Sequence, residues 1–308
     1  MSIPREVLDW LLQSSIPSIR YLTLTELIDI SPEDEGVKNE YKAIQNSHPA
    51  SSILEKQVAS GRWQLPEHYY SPKYRSTHWT LMLLEELRAD PNSTAFQDGV
   101  EFMLSQSRSR VEHYSKSADP GFTCLFGNIL RYAVYAGFLP DSRTQTLIDV
   151  VTYSLTNADC SCKYNTDLPC SWGAARSLWG LAAIPGNMHT ASMRKSIQAG
   201  TNFLLAKYNL VEANYPFPEG GRIHQIWNKL NFPLFYQADI LFVLRVMKQL
   251  GYAQQAQIQP ALTWLQSRQN QAGRWSGSSP FQNRTWSLSR DKEDTSRWVT
   301  LQSLSVLK

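Results

Sequence analysis

Apolar residues recur along most of the chain at helical spacing. In several segments they fall on one face only, as at Phe96, Val100 and Met103, which predicts amphipathic helices with one solvent-exposed face. Other segments are apolar almost all round, which predicts helices that are buried on every side. These segments are Trp79 to Leu87, Leu125 to Phe138, Trp172 to Ile184 and Leu234 to Leu250.

The two kinds of segment alternate, and no run of alternating Val, Ile and Thr interrupts them. The sequence therefore predicts an all-α fold of about twelve helices in six pairs, with inner and outer members. The ends of the chain repeat one inner pattern, as Arg20-Tyr-Leu-Thr-Leu24 and Arg297-Trp-Val-Thr-Leu301. Because an open stack leaves apolar end faces uncovered, we expect a closed (α/α)6 barrel, a single domain over residues 1–308.

A second repeat is more specific. Gln57 to Trp63 and Gln269 to Trp275 share the pattern Gln-x-x-x-Gly-x-Trp, with Arg at the variable position between Gly and Trp. The pattern predicts a helix that ends in a glycine turn with positive φ. The following Trp is expected to pack its ring into the turn, while its N–H finds a partner.

This pattern resembles the QW motif of squalene-hopene cyclases and related terpenoid cyclases, and more faintly the protein prenyltransferases. The resemblance implies an αα-toroid whose central cavity binds an isoprenoid or other apolar molecule. The resemblance does not imply the activity, because one fold hosts many functions; if the protein is an enzyme, we expect it to catalyse cyclisation or transfer of that molecule. A non-catalytic binding or scaffold protein, with a structural zinc or no metal, is the alternative.

Cyclases of this family protonate an alkene or epoxide with an aspartic acid of a DxDD motif, inside a dry aromatic pocket. The nearest match here is Asp291 to Thr295, in which Glu293 takes the place of the proton donor and Asp294 follows it. The alternative is a solvated acidic loop in which Asp294 or the next residue caps the last helix.

A third candidate catalytic residue is Asp239, which lies within an apolar run. A carboxyl group that is buried there must be either paired or protonated. Asp239 is therefore predicted to be a functional carboxylate, or else the structural partner of Arg20 or Arg297.

Three cysteines suggest a metal site. Cys124 and Cys170 lie near the starts of adjacent inner helices, with Cys162 close by, and such starts open at one end of a barrel. Thiolates bind Zn²⁺ tightly, and Asp167 or His224 could add a fourth ligand. The spacing C-x-C-x7-C is not a zinc-finger pattern, and the alternative is that the thiols pack as small apolar groups.

The zinc prediction is also supported by a resemblance to a known family. The stretch from Asp167 to Cys170 faintly resembles the zinc-binding Asp-x-Cys segment of protein prenyltransferases, which implies zinc-activated thiol chemistry. The His that completes that site is missing from the segment Phe235 to Asp239.

Aromatic and polar residues of the inner helices are predicted to line the central cavity and bind the ligand. The alternative is that their rings fill the centre solidly. The predicted ligand-binding residues are Tyr21, His78, Trp79, Phe126, Trp172, Tyr236, Gln237 and Trp298.

Composition narrows the class of protein. A formal charge of +3 with scattered Lys and Arg does not favour a nucleic-acid partner. The chain shows neither a signal peptide nor an apolar run that could span a bilayer. We therefore expect a cytosolic protein with reduced cysteines. The oligomeric state and any contact of one rim with a membrane stay open.

Overall fold

The computed structural model describes residues 3–58, 61–63, 68–115, 123–157, 160–288, 291 and 293–308. Regular structure in these ranges is helical, and the extended pairings are isolated bridges, which confirms the all-α prediction. None of the described helices is both long and apolar enough to cross a membrane. The α-helices are α1 (Arg5–Leu12), α2 (Pro17–Leu22), α3 (Glu35–Asn46), α4 (Ala50–Leu54), α5 (Thr77–Glu86), α6 (Thr94–Ser115), α7 (Thr123–Tyr135), α8 (Ser142–Asn157), α9 (Ser171–Leu181), α10 (Ala191–Asn202), α11 (Ile240–Gln249), α12 (Gln259–Ser267) and α13 (Asp294–Leu307).

Two classes of helix alternate in burial, as the apolar pattern predicts. Helices α5, α7, α9, α11 and α13 are buried on nearly every face, and in α5 the buried residues run unbroken from Thr77 to Glu85. Between them lie helices that bury one side, such as α3, where Val37 and Ile44 face inward. The solvent-exposed face of these helices carries the charged residues.

The predicted helix from Leu234 to Leu250 is too long. Helix α11 begins only at Ile240, and Phe235 has a left-handed backbone with φ of 53°. Asp239 caps this helix, since its Oδ1 accepts the Phe242 N–H at 2.7 Å. An apolar run cannot distinguish a buried helix from buried irregular chain, and here a helix-capping carboxylate sets the boundary.

Backbone contacts divide the chain into two compact units. Unit 1 comprises Met1–Asp98, Lys229–Phe235 and Leu262–Lys308. Unit 2 comprises Gly99–Asn228 and Tyr236–Ala261. The single-domain barrel stays a prediction.

Within unit 1 the first and last helices are in contact. Helix α13 packs against α2 and against the π-helical turn Thr23–Leu27 that follows it. Ser305 Oγ donates to Glu26 Oε2 at 2.9 Å, and Trp10 Nε1 donates to Glu293 Oε2 at 2.9 Å. The repeated inner-helix sequences of the two chain ends therefore pack against each other.

The two tryptophan motifs, both in unit 1, adopt matching geometry. Trp63 Nε1 donates to Ile53 O and Trp275 Nε1 donates to Leu265 O, each at 2.7 Å and each to a carbonyl ten residues earlier. Both motif glycines have positive φ, 74° and 72°, and the two rings are 1% and 0% exposed. The predicted turn is confirmed, although each preceding helix ends several residues before its glycine. Residues 59–60 lie outside the described ranges.

Helices α7 and α9 of unit 2 cross at backbone contact. A Cβ atom on Gly127 would lie 2.3 Å from Arg176 O and 2.7 Å from Ser177 Cα. A Cβ atom on Gly180 would lie 2.5 Å from Gly127 O. Two glycines therefore allow α7 and α9 to cross this closely.

We expect Gly127→Ala to lower the free energy of unfolding by about 1–3 kcal/mol or more, because rigid backbone atoms occupy the space of the new methyl group. Gly186→Ala is the matched control in unit 2, since a Cβ there meets nothing within 4 Å. Denaturant unfolding followed by circular dichroism measures both. Equal midpoints for the two variants would contradict this account of the crossing.

Candidate functional site

A cavity of about 330 Å³ lies in unit 1 beside the start of α13. Asp294 and Trp298, both predicted from the sequence as site residues, contribute to its lining, as do Phe232, Trp286 and Leu288. The volume falls at the low end of the roughly 300–1,000 Å³ found for small-molecule sites. The rim is polar and includes Ser279, Gln282, Asn283 and Ser287.

The aromatic wall of this cavity is held in place by packing and hydrogen bonds. The rings of Phe232 and Trp298 stack with centroids 4.3 Å apart and an interplanar angle of 17°. Both residues are buried, at 3% and 2% exposure. Trp286, which is half-buried, donates its Nε1–H to Thr80 Oγ1 at 2.9 Å. The cavity is therefore lined by tightly packed rings together with polar groups.

The acidic segment before α13 is organised around one guanidinium. Arg297 Nη1 lies 2.6 Å from Asp291 Oδ2 and 3.2 Å from Asp294 Oδ1, and its Nη2 lies 3.3 Å from Glu293 Oε2. Arg297 and Asp294 are buried, with side chains 8% and 1% exposed, whereas the other two carboxylates are about half exposed. Lys292 lies outside the described residues. The predicted DxDD-like stretch therefore forms an ion-pair cluster.

Charge in this cluster affects the pKa of Asp291. Burial raises that pKa, but the Arg297 hydrogen bond, the Glu293 N–H and the guanidinium charge outweigh burial, so the pKa lies below its ordinary value. A cyclase-type proton donor needs the opposite, a carboxyl group that keeps its proton until reaction. Glu293 and Asp294, the predicted catalytic residues, share the same guanidinium.

Asp239, the third predicted catalytic residue, lies in unit 2 and is fully buried. Its Oδ1 accepts the Phe242 N–H, as the N-cap of α11. Of the two arginines proposed as its structural partner, Arg20 pairs with Glu40 at 2.7 Å, and Arg297 holds the acidic cluster. The structure thus gives Asp239 a role in starting a helix.

Three predicted ligand-binding residues of unit 1 are placed in packed surroundings. Trp79 and His78 are both 0% exposed and lie with ring centroids 4.8 Å apart. The Trp79 ring also lies 5.3 Å from that of Tyr74. Tyr21 is half-buried, 5.5 Å from the Tyr41 ring. These three side chains pack against neighbouring rings of unit 1.

The predicted residues of unit 2 partly come together. The Trp172 ring lies 5.9 Å from that of Tyr236 and 6.0 Å from that of His224. Trp172 Nε1 and Gln237 Oε1 are buried and have no hydrogen-bond partner in the described part of the chain. Phe126 is fully buried in α7. Trp172 and Tyr236 therefore form an aromatic pair in unit 2.

Two of the predicted metal ligands, Cys162 and Cys170, are hydrogen-bonded neighbours in unit 2. The Cys170 thiol donates to the Cys162 sulfur, and this bond, against the effect of burial, lowers the pKa of Cys162 to about 6. The same bond, with burial, raises the pKa of Cys170 well above its ordinary value. A short backbone hairpin pairs Cys162 with Leu168 and Cys170 with Cys160, since Cys162 N donates to Leu168 O and Cys170 N donates to Cys160 O, both at 3.1 Å.

Cys124, the third predicted metal ligand, is the second residue of α7 and lies in the same region. Burial raises the pKa of its thiol to about 12, and charge on Cys162 adds to the shift. Among the described residues, however, no three His, Cys, Asp or Glu side chains form a group that could hold a metal ion. Zinc at Cys124, Cys162 and Cys170 therefore stays a prediction.

Several cavity residues were not predicted from the sequence. Arg75, Trp286 and Leu288 lie in segments without helical periodicity, and such segments read as loops. The sequence signal that could have indicated them is Trp286, a tryptophan among polar residues. A tryptophan in a loop needs an apolar surface to cover its ring.

No family model matches the chain, and neither curated proteins nor solved structures include a significant match. The resemblance to the terpenoid cyclases therefore rests on the Gln57 to Trp63 and Gln269 to Trp275 motifs. Membership of that family stays a prediction.

Proposed function

We propose that this protein binds an isoprenoid or similar apolar small molecule in the unit 1 cavity. The observation that carries the proposal is the cavity itself, about 330 Å³ in volume and lined by Phe232, Trp298 and polar residues. Aromatic walls with a few polar groups suit a ligand that has an apolar body and a small polar end.

The proposed architecture is a closed (α/α)6 barrel of the terpenoid-cyclase type, located in the cytosol. Alternating buried and half-buried helices support it, as does the contact of α13 with α2. The matching geometry of Trp63 and Trp275 adds the repeat expected of such a fold.

Binding is favoured over acid-catalysed cyclisation because the three candidate acids have structural partners. Asp239 caps α11, and Glu293 and Asp294 pair with Arg297. Catalysis by one of these acids would require it to leave its partner. We therefore propose that the protein binds its ligand without catalysis. Cyclisation or transfer of an isoprenoid is the alternative function.

The cavity volume also limits the ligand. About 330 Å³ corresponds to roughly eleven water molecules at about 30 Å³ each. A sesquiterpene-sized alcohol such as farnesol suits this space better than squalene, which has twice the carbon atoms. The polar rim would hold the hydroxyl group.

Calorimetric titration with farnesol tests the proposal. Ser287 is exposed and lines the cavity, so we expect Ser287→Trp to fill it and weaken binding at least tenfold, about 1.4 kcal/mol. Ser109→Trp, at an exposed position of α6, is the matched control and should bind as the wild type does. Binding that is absent, or equally strong in both variants, would refute the proposed site.

The catalytic alternative needs a separate assay. The protein is incubated with farnesyl diphosphate and with squalene, and the products are examined by mass spectrometry. We expect no turnover. If a product forms with the wild type and Ser109→Trp, but with neither Asp239→Asn nor Glu293→Gln, the function is acid catalysis and not binding alone.

A further inference from the structure

We propose that the ligand of the unit 1 cavity is an apolar carboxylic acid, whose carboxylate is bound by the Arg75 guanidinium. The inference rests on the proposed function, because it specifies the polar end of the molecule that the cavity takes. Its basis is the position of Arg75, the one cationic side chain among the described residues that line the cavity.

The guanidinium of Arg75 is held at the cavity by two neighbours. Its Nη2 donates to Thr285 O at 3.2 Å, and its Cζ lies 5.9 Å from the centroid of the Trp286 ring. This distance is within the range at which an aromatic face attracts a cation. Thr285 and Trp286 themselves line the cavity, so the charge is placed at its wall.

Hydrogen bonds also fix the backbone around Arg75. Thr80 Oγ1 donates to Arg75 O at 3.0 Å and accepts the Nε1–H of Trp286 at 2.9 Å. Thr285 Oγ1 donates to Tyr74 O at 2.9 Å. These bonds join the segment from Tyr74 to Thr80 with the segment that carries Trp286, and they hold the cation and the indole ring in one arrangement.

The charge of Arg75 is not neutralised within the described part of the chain. Thr285 O is its hydrogen-bond acceptor there, and no carboxylate pairs with it. The carboxylate that lines the cavity, Asp294, is 1% exposed and pairs with Arg297. Arg75 therefore attracts an anionic group to the cavity, and its planar fork of N–H donors matches the two oxygens of a carboxylate.

The charges beside the cavity favour an anion with a single charge. Asp291, Glu293 and Asp294 surround the one guanidinium of Arg297, so carboxylates outnumber cations in this cluster. A phosphate ester brings about two negative charges, and this excess of carboxylates would repel the second. A carboxylate carries one charge, which matches that of Arg75.

Titration calorimetry with two matched ligands at neutral pH tests the inference. Farnesoic acid and farnesol share one carbon skeleton and differ only at the end, which is a carboxylate or a hydroxyl group. We expect the wild type to bind farnesoic acid about fivefold more tightly than farnesol, as an exposed ion pair allows. High salt should reduce this preference, because it screens exposed charges. Farnesyl phosphate should bind no more tightly than farnesoic acid.

Two glutamine variants assign the preference to one side chain. Arg75→Gln should bring the affinities for farnesoic acid and farnesol together, because glutamine can still donate to Thr285 O but carries no charge. Arg268→Gln is the matched control and should keep the preference. Arg268 is likewise an exposed arginine of unit 1, with its Cζ 5.0 Å from the centroid of the Trp264 ring, but it is not among the described residues that line the cavity.

The outcomes separate this inference from the proposed function. Wild-type protein that binds farnesol and farnesoic acid equally well would overturn the inference and leave the proposed function standing. Tighter binding of farnesyl phosphate than of farnesoic acid, or a preference that persists in Arg75→Gln, would also overturn it. Failure to bind either farnesol or farnesoic acid would refute both. The wild-type comparison needs no variant to fold.

Discussion

Replacing Arg297 by methionine is expected to lower the free energy of unfolding by about 3–5 kcal/mol, because it leaves a buried carboxylate without its counter-charge. The Asp294 side chain is 1% exposed and its Oδ1 lies 3.2 Å from Arg297 Nη1. Methionine keeps much of the volume of the arginine stem, so the loss reports mainly on the charge pair. Urea unfolding at neutral pH measures the difference.

The matched control is a surface pair of the same chemistry. Arg108 and Glu112 are 66% and 46% exposed at 2.8 Å, and a pair of this kind contributes only about 0.3–0.5 kcal/mol. We therefore expect Arg108→Met to be nearly neutral. Similar losses in the two methionine variants would show that the Arg297 cluster is not a buried charge network.

The Arg297 cluster also makes the free energy of unfolding depend on pH in a definite direction. Because the pKa of Asp291 is lowered in the folded protein, its ion pair stabilises fully above the ordinary aspartate pKa of about 3.9. That contribution is lost as the pH falls through the lower folded value. The stability difference between wild type and Asp291→Asn should therefore shrink in acid. A difference that grows in acid would contradict the direction of the shift.

The second large effect is expected at the two motif tryptophans. Trp63→Ala and Trp275→Ala should each cost about 3–5 kcal/mol, because each deletes a fully buried ring. The phenylalanine variants should cost less but still leave a buried carbonyl unpaired, about 1–3 kcal/mol. Thermal unfolding of all four variants tests whether the two turns are equivalent.

Trp264 provides the control for loss of an indole ring. It is half-buried on α12, close in sequence to the carbonyl that Trp275 contacts, and Trp264→Ala should be clearly milder. If Trp63→Ala is mild while Trp275→Ala is severe, the two motifs share a geometry but not a structural role.

The sequence predicts local features of this fold well. Helical periodicity identifies the helices and their degree of burial, and the tryptophan motif predicts the positive φ of Gly61 and Gly273. These features depend on neighbouring residues and on one buried face, so periodicity records them directly. The start of α11 is missed, because one capping side chain, Asp239, ends an apolar run that looks continuous.

The candidate site is predicted only in part. Trp298 lies within the repeated inner-helix pattern and Asp294 within the DxDD-like stretch, but Trp286 and Arg75 reach the cavity from irregular segments. The partners of charged residues are equally non-local, as for Trp10 and Glu293, which are 283 residues apart. Such pairings depend on tertiary contacts that a periodic pattern does not encode.

Unit 1 is assembled from chain segments that leave the ribosome at very different times. Its first segment ends at Asp98, and its last segment begins at Leu262. At about 5–20 residues per second, translation delays the arrival of the last segment by roughly 10–30 s. Helix α2 therefore emerges long before its partner α13 has been synthesised. Until then its apolar surface stays exposed in the nascent chain, where chaperones bind such surfaces.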